Sequence, residues 1–155
     1  MSDAVALVLL PPPRIGAAVD TVRSANDRSY GRGWASHITI LFPFTPVDDL
    51  PSLADKLRSA FLSANLQSFE VKMDKVSQFD TRDYETVYLG LTEEDQVRTL
   101  WNISVEAMGH PKDGRQYTPH MTLGQTARNP DAIAFLADKG NRIVAQVCSS
   151  MPVIS

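Results

Sequence analysis

Residues 34–44, Trp34-Ala35-Ser36-His37-Ile38-Thr39-Ile40-Leu41-Phe42-Pro43-Phe44, and residues 117–125, Tyr117-Thr118-Pro119-His120-Met121-Thr122-Leu123-Gly124-Gln125, each carry a His-x-Thr-x tetrapeptide, 83 positions apart. Apolar and β-branched residues dominate both stretches and turn formers bound them, so strands are predicted over 34–42 and 117–124. The two-residue period of a strand puts His37 and Thr39 on one face with Ile38 and Ile40 on the other, and splits His120 and Thr122 from Met121 and Leu123 in the same way. Each strand then presents a polar pair backed by a core pair. If the halves are pseudo-symmetric lobes, the two His-Thr pairs face one another across a single cleft.

The chain has only three histidines, and two of them open these matching patterns. A lone strand histidine is ordinarily structural, but the repetition is hard to obtain from packing alone. Zinc held by two histidines needs a third ligand, and neither motif has one beside it. His110 lies in the turn-like stretch His110 to Tyr117 with no threonine after it, and is expected on the surface.

Two imidazoles and two hydroxyls suit transfer at phosphorus. A neutral imidazole takes a proton from water or a ribose hydroxyl while a protonated one gives a proton to the leaving oxygen, and histidine titrates in the right range for both. The hydroxyls of Thr39 and Thr122 can donate to the non-bridging oxygens as charge builds at phosphorus. No metal or other cofactor is required.

The rest of the chain sets the frame. Its 155 residues are 43% hydrophobic and 21% charged, enough for one core, so a single domain over 1–155 is expected. Eighteen acids against 15 bases give a net charge of −3, which argues against a protein that lives on long nucleic acid while allowing a small anionic ligand. One cysteine, Cys148, excludes an intramolecular disulfide and suits a reducing compartment. The apolar run Ala4 to Leu10 follows Asp3 and is too short to span a bilayer, so neither leader nor anchor is expected, and a cytoplasmic or nuclear location follows.

Ala4 to Leu10 reads as a strand, and helical spacing follows from Arg14 to Asn26 and from Leu50 to Leu66. Phe69 to Phe79 and Thr86 to Leu91 read as an antiparallel pair. A third helix ends at Gly109 and is capped by Thr92, a short helix spans Asp131 to Asp138 and closes at Gly140, and Arg142 to Cys148 reads as the last strand. Helices alternating with hairpin signals favour α+β with antiparallel sheets over a doubly wound parallel sheet.

At these residues the sequence resembles the 2H phosphoesterase superfamily, also called the 2′-5′ RNA ligase-like or cyclic phosphodiesterase family, whose signature is two His-x-Thr/Ser-x motifs with a hydrophobic fourth position. Asn26-Asp27-Arg28-Ser29-Tyr30 followed by residues 34–44, and residues 117–125, are similar to its eukaryotic-type branch. The resemblance covers nearly the whole chain. Ser36 stands where the family often has proline, and residues 149–155 are short of the charged tail common there.

The resemblance implies a bilobal α+β fold, pseudo-two-fold, with two antiparallel sheets and outer helices around a central groove. It implies metal-independent opening of 2′,3′-cyclic phosphates of nucleotides or short RNA ends, typically to the 2′-phosphate. By analogy with that family His120 is the general base and His37 the general acid, and Thr39 and Thr122 hold the phosphate. Binding without turnover, ADP-ribose 1″,2″-cyclic phosphate as substrate, and trimming of RNA 3′ ends are the alternatives; the acidic balance disfavours the last. Ring opening by water outweighs ligation by mass action, and no Gly-x4-Gly-Lys-Ser/Thr loop is present, so no ATP dependence is expected.

Tyr117, Phe79 and Trp34 flank the motif strands or the hairpin turn and are candidates to stack a base, Tyr117 and Phe79 ahead of Trp34. Arg115, with Arg14, Arg28, Arg32 and Arg82, punctuates predicted loops where a guanidinium can steer a phosphate or simply be solvated. Trp101 is expected in the core. A two-lobed domain that completes its own site needs no second copy, so a monomer is expected.

Overall fold

A computed structural model describes residues 5–42, 49–109 and 116–146, together with the backbone of 151–153. Strand β1 (Leu7–Leu9) leads through three prolines into helix α1 (Pro13–Asn26). Pro13 opens that helix at a position whose N–H has no intrahelical partner, so the missing donor costs nothing. A 3₁₀ turn (Tyr30–Arg32) precedes β2 (Ile38–Leu41), and helix α2 (Leu50–Ser63) follows. Strands β3 (Phe69–Val71), β4 (Lys75–Asp80) and β5 (Glu85–Gly90) lead to helix α3 (Asp95–Met108). Strand β6 (His120–Thr126), helix α4 (Pro130–Gln146) and β7 (Met151–Val153) complete the order. Among the described residues no helix is long and apolar enough to cross a membrane.

The fold is α+β with two antiparallel sheets, as expected: a five-stranded sheet in the order β1-β2-β6-β5-β4 and a two-stranded sheet of β3 and β7. The strands of the two motifs, β2 and β6, are neighbours in the large sheet, paired at Ile38 and Met121. That pair joins the second position of one motif to the second position of the other, and the outer partners β1 and β5 lie symmetrically beyond. A local two-fold therefore passes between Ile38 and Met121. Helices α1 and α4 touch each other and pack on β6 and on β4 and β5, while α3 packs on β2 and carries α2. Ile38, Met121, Leu123 and Leu89 are wholly buried beneath the polar faces of the motif strands.

Four expectations change. Phe69 to Phe79 is not one strand: β3 pairs with β7 and β4 with β5, so the chain changes sheets across residues 72–74. The segment Trp34 to His37 lies outside the strand that Ile38 begins. Helix α3 is not capped by Thr92; its N-cap is Glu94, and the Thr92 amide donates instead to Asp74 Oδ1 at 2.9 Å. The expected break at Gly140 and strand from Arg142 to Cys148 are replaced by one helix through Gln146, while 147–150 lie outside the described residues. Gly140 serves packing: a Cβ there would stand 2.6 Å from Leu123 Cδ1, so its absence lets α4 sit directly on the sheet. The stop at Gly109 holds, its left-handed φ of 64° suiting a residue with no side chain.

Candidate active site

The polar faces of β2 and β6 open into a cleft of about 370 Å³ lined by His37, Thr39, His120 and Thr122. Continuing the register of the Ile38–Met121 pair by one residue runs His37 towards Thr122 and Thr39 towards His120. The four side chains line the same cleft.

Both motif strands bulge at the same position. Opposite β1 the register jumps from Thr39 to Leu41, leaving Ile40 as the extra residue; opposite β5 it jumps from Thr122 to Gly124, leaving Leu123. A bulge puts two residues against one and shifts the alternation that follows. Ile40 and Leu41 are therefore both buried, as are Leu123 and Gly124, and the next residue on each side, Phe42 just past the end of β2 or Gln125 within β6, lines the cleft.

The histidines are held alike. His37 Nδ1 lies 2.6 Å from the Ala35 carbonyl and His120 Nδ1 2.8 Å from the Thr118 carbonyl. A carbonyl only accepts, so Nδ1 carries the proton in each ring and the neutral imidazole keeps its lone pair on Nε2. Ser36, in place of a proline, leaves this geometry intact, being itself buried between helix α1 and the motif. The surroundings of the rings differ. His120 meets Phe79 and Tyr88 edge-on at centroid distances of 4.9 and 5.2 Å, and those two rings stack on each other at 4.4 Å. Burial lowers the His120 pKa below the usual imidazole value and the nearby His37 lowers it further, against an upward pull from the Thr118 carbonyl. His37 faces Trp34 at 5.6 Å, and Trp34 meets Phe42 edge-on at 6.1 Å.

One wall of the cleft comes from the end of α1 and the turn after it. Arg23 is almost completely buried there, its Nε donating to Asp27 Oδ2 and its Nη1 to Asp20 Oδ1, each at 2.7 Å. Its Nη2 donates to the Trp34 carbonyl at 2.8 Å. Asp27 also accepts from the amide and hydroxyl of Ser29. Burial pushes the Asp27 carboxyl up, but the hydrogen bonds from Arg23 and Ser29 and the guanidinium charge outweigh it and hold the group below the usual carboxylate value. Sequence reasoning passed over Arg23, although its place four residues after Val19 and four before Asp27 sets it on the buried side of the helix.

Among the stacking candidates, Trp34 lines the cleft. Tyr117 does not: its ring stacks on Trp101 at 5.1 Å and its hydroxyl donates to the Thr39 carbonyl at 2.8 Å. Phe79 stands behind His120 instead of in the opening. Trp101 packs against the core as expected. Arg32 lines the cleft, Arg28 lies over the Tyr84 ring at 4.7 Å, and Arg14 reaches the Gln146 carbonyl. Arg82 is exposed and is not among the residues lining the cleft. Arg115 and His110 lie outside the described residues.

Comparison with known proteins agrees with this arrangement. The family described as the 2′-5′ RNA ligase superfamily matches residues 11–146, a span that holds both motifs, α1 and α4. Proteins of Staphylococcus aureus strains Newman, JH1 and USA300, each named "Putative phosphoesterase", are 28% identical over 120 residues, covering 77% of this chain and 69% of theirs. With the match extending over most of its length, the chain belongs to the 2′-5′ RNA ligase superfamily, the 2H phosphoesterases.

Proposed function

We propose that this cleft hydrolyses 2′,3′-cyclic phosphates of nucleotides or short RNA ends, without a metal, to 2′-phosphates. The observation that carries the reading is the matching arrangement of His37 and His120, each fixed through Nδ1 and both lining one cleft with Thr39 and Thr122. His120, kept neutral by burial, takes a proton on Nε2 from the attacking water. The water oxygen bonds to phosphorus, the bond from phosphorus to O3′ breaks, and protonated His37 gives its Nε2 proton to O3′. Proton exchange with solvent then restores both rings. Thr39 and Thr122 donate to the non-bridging oxygens throughout, stabilising charge as phosphorus becomes pentacoordinate. The names of the staphylococcal relatives fit this reading at the level of phosphoesterase chemistry.

Adenosine 2′,3′-cyclic phosphate, incubated with the protein in EDTA and followed by phosphorus NMR or chromatography, tests it. The expected result is a single 2′-phosphate product, with His37→Ala and His120→Ala each at least about a hundredfold slower. Binding without turnover in the native protein, or mixed isomers, would overturn it.

A further inference from the structure

The segments that lead into the two motif histidines occupy equivalent places and are held by different means. Three residues before His120 stands Tyr117, anchored by its side chain, with the ring stacked on Trp101 and the hydroxyl on the Thr39 carbonyl. Pro119 follows and restricts the backbone of Thr118, the residue whose carbonyl accepts from His120 Nδ1. Three residues before His37 stands Trp34, which lines the cleft, and Ser36 takes the place of Pro119. Ala35, whose carbonyl accepts from His37 Nδ1, is exposed and has no proline after it to restrict its backbone.

What stops the Ala35 carbonyl from turning is the backbone on either side of it. Ser36, on one side, is buried. On the other, the peptide between Trp34 and Ala35 is fixed by Arg23, whose Nη2 donates to the Trp34 carbonyl at 2.8 Å. The guanidinium cannot swing away, because it is buried and its Nε and Nη1 are taken by Asp27 and Asp20. The Trp34 amide makes a longer bond, 3.4 Å, to the carbonyl of Ser29, which Asp27 holds in turn. Only a rigid planar fork serves three acceptors in three directions at once, so the single nitrogen of a lysine would not replace it.

We infer that Arg23 is a positioning residue for His37: through the Trp34 carbonyl it fixes the chain that turns the Ala35 carbonyl towards Nδ1, doing for the first motif what Pro119 does for the second. The effect on rate rests on the hydrolytic reading above, in which His37 gives the proton to O3′. The effect on the ring does not, since the hydrogen bond to Ala35 is present without substrate.

Two variants remove the tie in opposite ways. Arg23→Lys keeps a positive charge beside Asp27 and gives up the fork, whereas Arg23→Met with Asp27→Leu removes the charge together with its partner, so neither leaves a buried carboxylate alone. Long-range proton–nitrogen NMR of the neutral imidazoles, without substrate, reads which ring nitrogen carries the proton, the signals being assigned from His37→Gln and His120→Gln. In the native protein both rings should carry it on Nδ1. In both variants His37 should move towards the Nε2–H form that free histidine favours while His120 stays as it is, and kcat for adenosine 2′,3′-cyclic phosphate should fall about tenfold or more with KM unchanged, as a misplaced group costs. A native His37 protonated on Nε2, a His37 that keeps Nδ1–H in either folded variant, a shift of both histidines together, or a loss confined to KM would overturn the inference. A native protein that turns nothing over, while the His37 signal moves as expected, would sink the hydrolytic reading alone.

Discussion

The Tyr117 hydroxyl donates to the Thr39 carbonyl across 2.8 Å, so the segment leading into one motif is tied to the middle of the other. Burial raises the Tyr117 pKa far above the ordinary phenol value, and the group remains a donor throughout the range in which imidazoles work. Tyr117→Phe keeps the stack on Trp101 and removes only this bond. The expected cost is about 1 kcal/mol in urea denaturation, together with a severalfold fall in turnover as Thr39 loosens. Unchanged stability and unchanged turnover would show that the tie is idle.

The unlike surroundings of the two histidines predict an asymmetric pH response. In the proposed role of base His120 must be neutral, and burial holds its pKa below the usual 6.5, so the acidic limb of kcat/KM should lie below that value. Phe79→Ala exposes the ring and should move the limb up towards 6.5. The same depression bears on stability. In the unfolded chain His120 binds a proton near 6.5, whereas in the fold it resists, so its contribution is intact above that pH and is lost as pH falls through the folded value. Denaturation midpoints for the native protein and His120→Gln between pH 7 and 5 should converge towards the acid end.

Arg23 and Asp27 form a second testable unit. Removing the guanidinium while the Asp27 carboxylate stays buried leaves a charge without its partner, which costs about 3–5 kcal/mol in comparable cases. Arg23→Met should therefore destabilise the protein strongly. Since Asp27 is held below its usual pKa, the native pair contributes stability above the ordinary carboxylate range and loses it as pH falls through the lowered value. The variant should lack that acid-side loss. A double variant, Arg23→Met with Asp27→Leu, should recover much of the cost. Failure to recover it would place the effect in the Trp34 carbonyl bond instead.

The alternation of the motif strands was readable because one buried face and one open face impose a period of two, and Ile38, Thr39 and Ile40 obey it as Met121, Thr122 and Leu123 do. The bulges after them were not. Ile40 followed by Leu41 reads as a continuing strand, and only the pairing with β1 shows that one residue is extra. Arg23 was hidden for a related reason. Arginine on a helix is ordinarily solvated, and its burial depends not only on Asp20 and Asp27, one turn away on the same helix and its C-cap, but on the Trp34 carbonyl that the following turn brings against it. At Gly140 the residue type suggested a helix end, whereas its role comes from Leu123 and Val76 pressing on it from the sheet.

The crossed arrangement of the motifs makes the threonines comparable partners. If each hydroxyl donates to one non-bridging oxygen, Thr39→Ala and Thr122→Ala should each lower kcat by about a hundredfold, in the range of a lost donor to a developing oxyanion. Serine at either position should retain most of the rate, because it keeps the hydroxyl and drops only the methyl group. Single-turnover rates separate this from a change in binding. A loss confined to KM would assign the hydroxyls to ground-state binding instead.

Gly124 is where α1 and β6 come closest. A Cβ at this position would stand 2.7 Å from the Asn26 carbonyl oxygen and 2.6 Å from its Cβ, and backbone on both sides leaves little room to give. Gly124→Ala should therefore push the end of α1 off β6, at a cost of about 1–3 kcal/mol, in the range of overpacked cores. The displacement also acts on the cleft, because the next residue, Gln125, accepts from the Arg28 amide, and Asp27 beside it holds Arg23. Denaturation should show the loss of stability, and nucleotide affinity should fall with it. Stability lost without any change in affinity would mean that α1 shifts as a rigid piece and carries its wall of the cleft along.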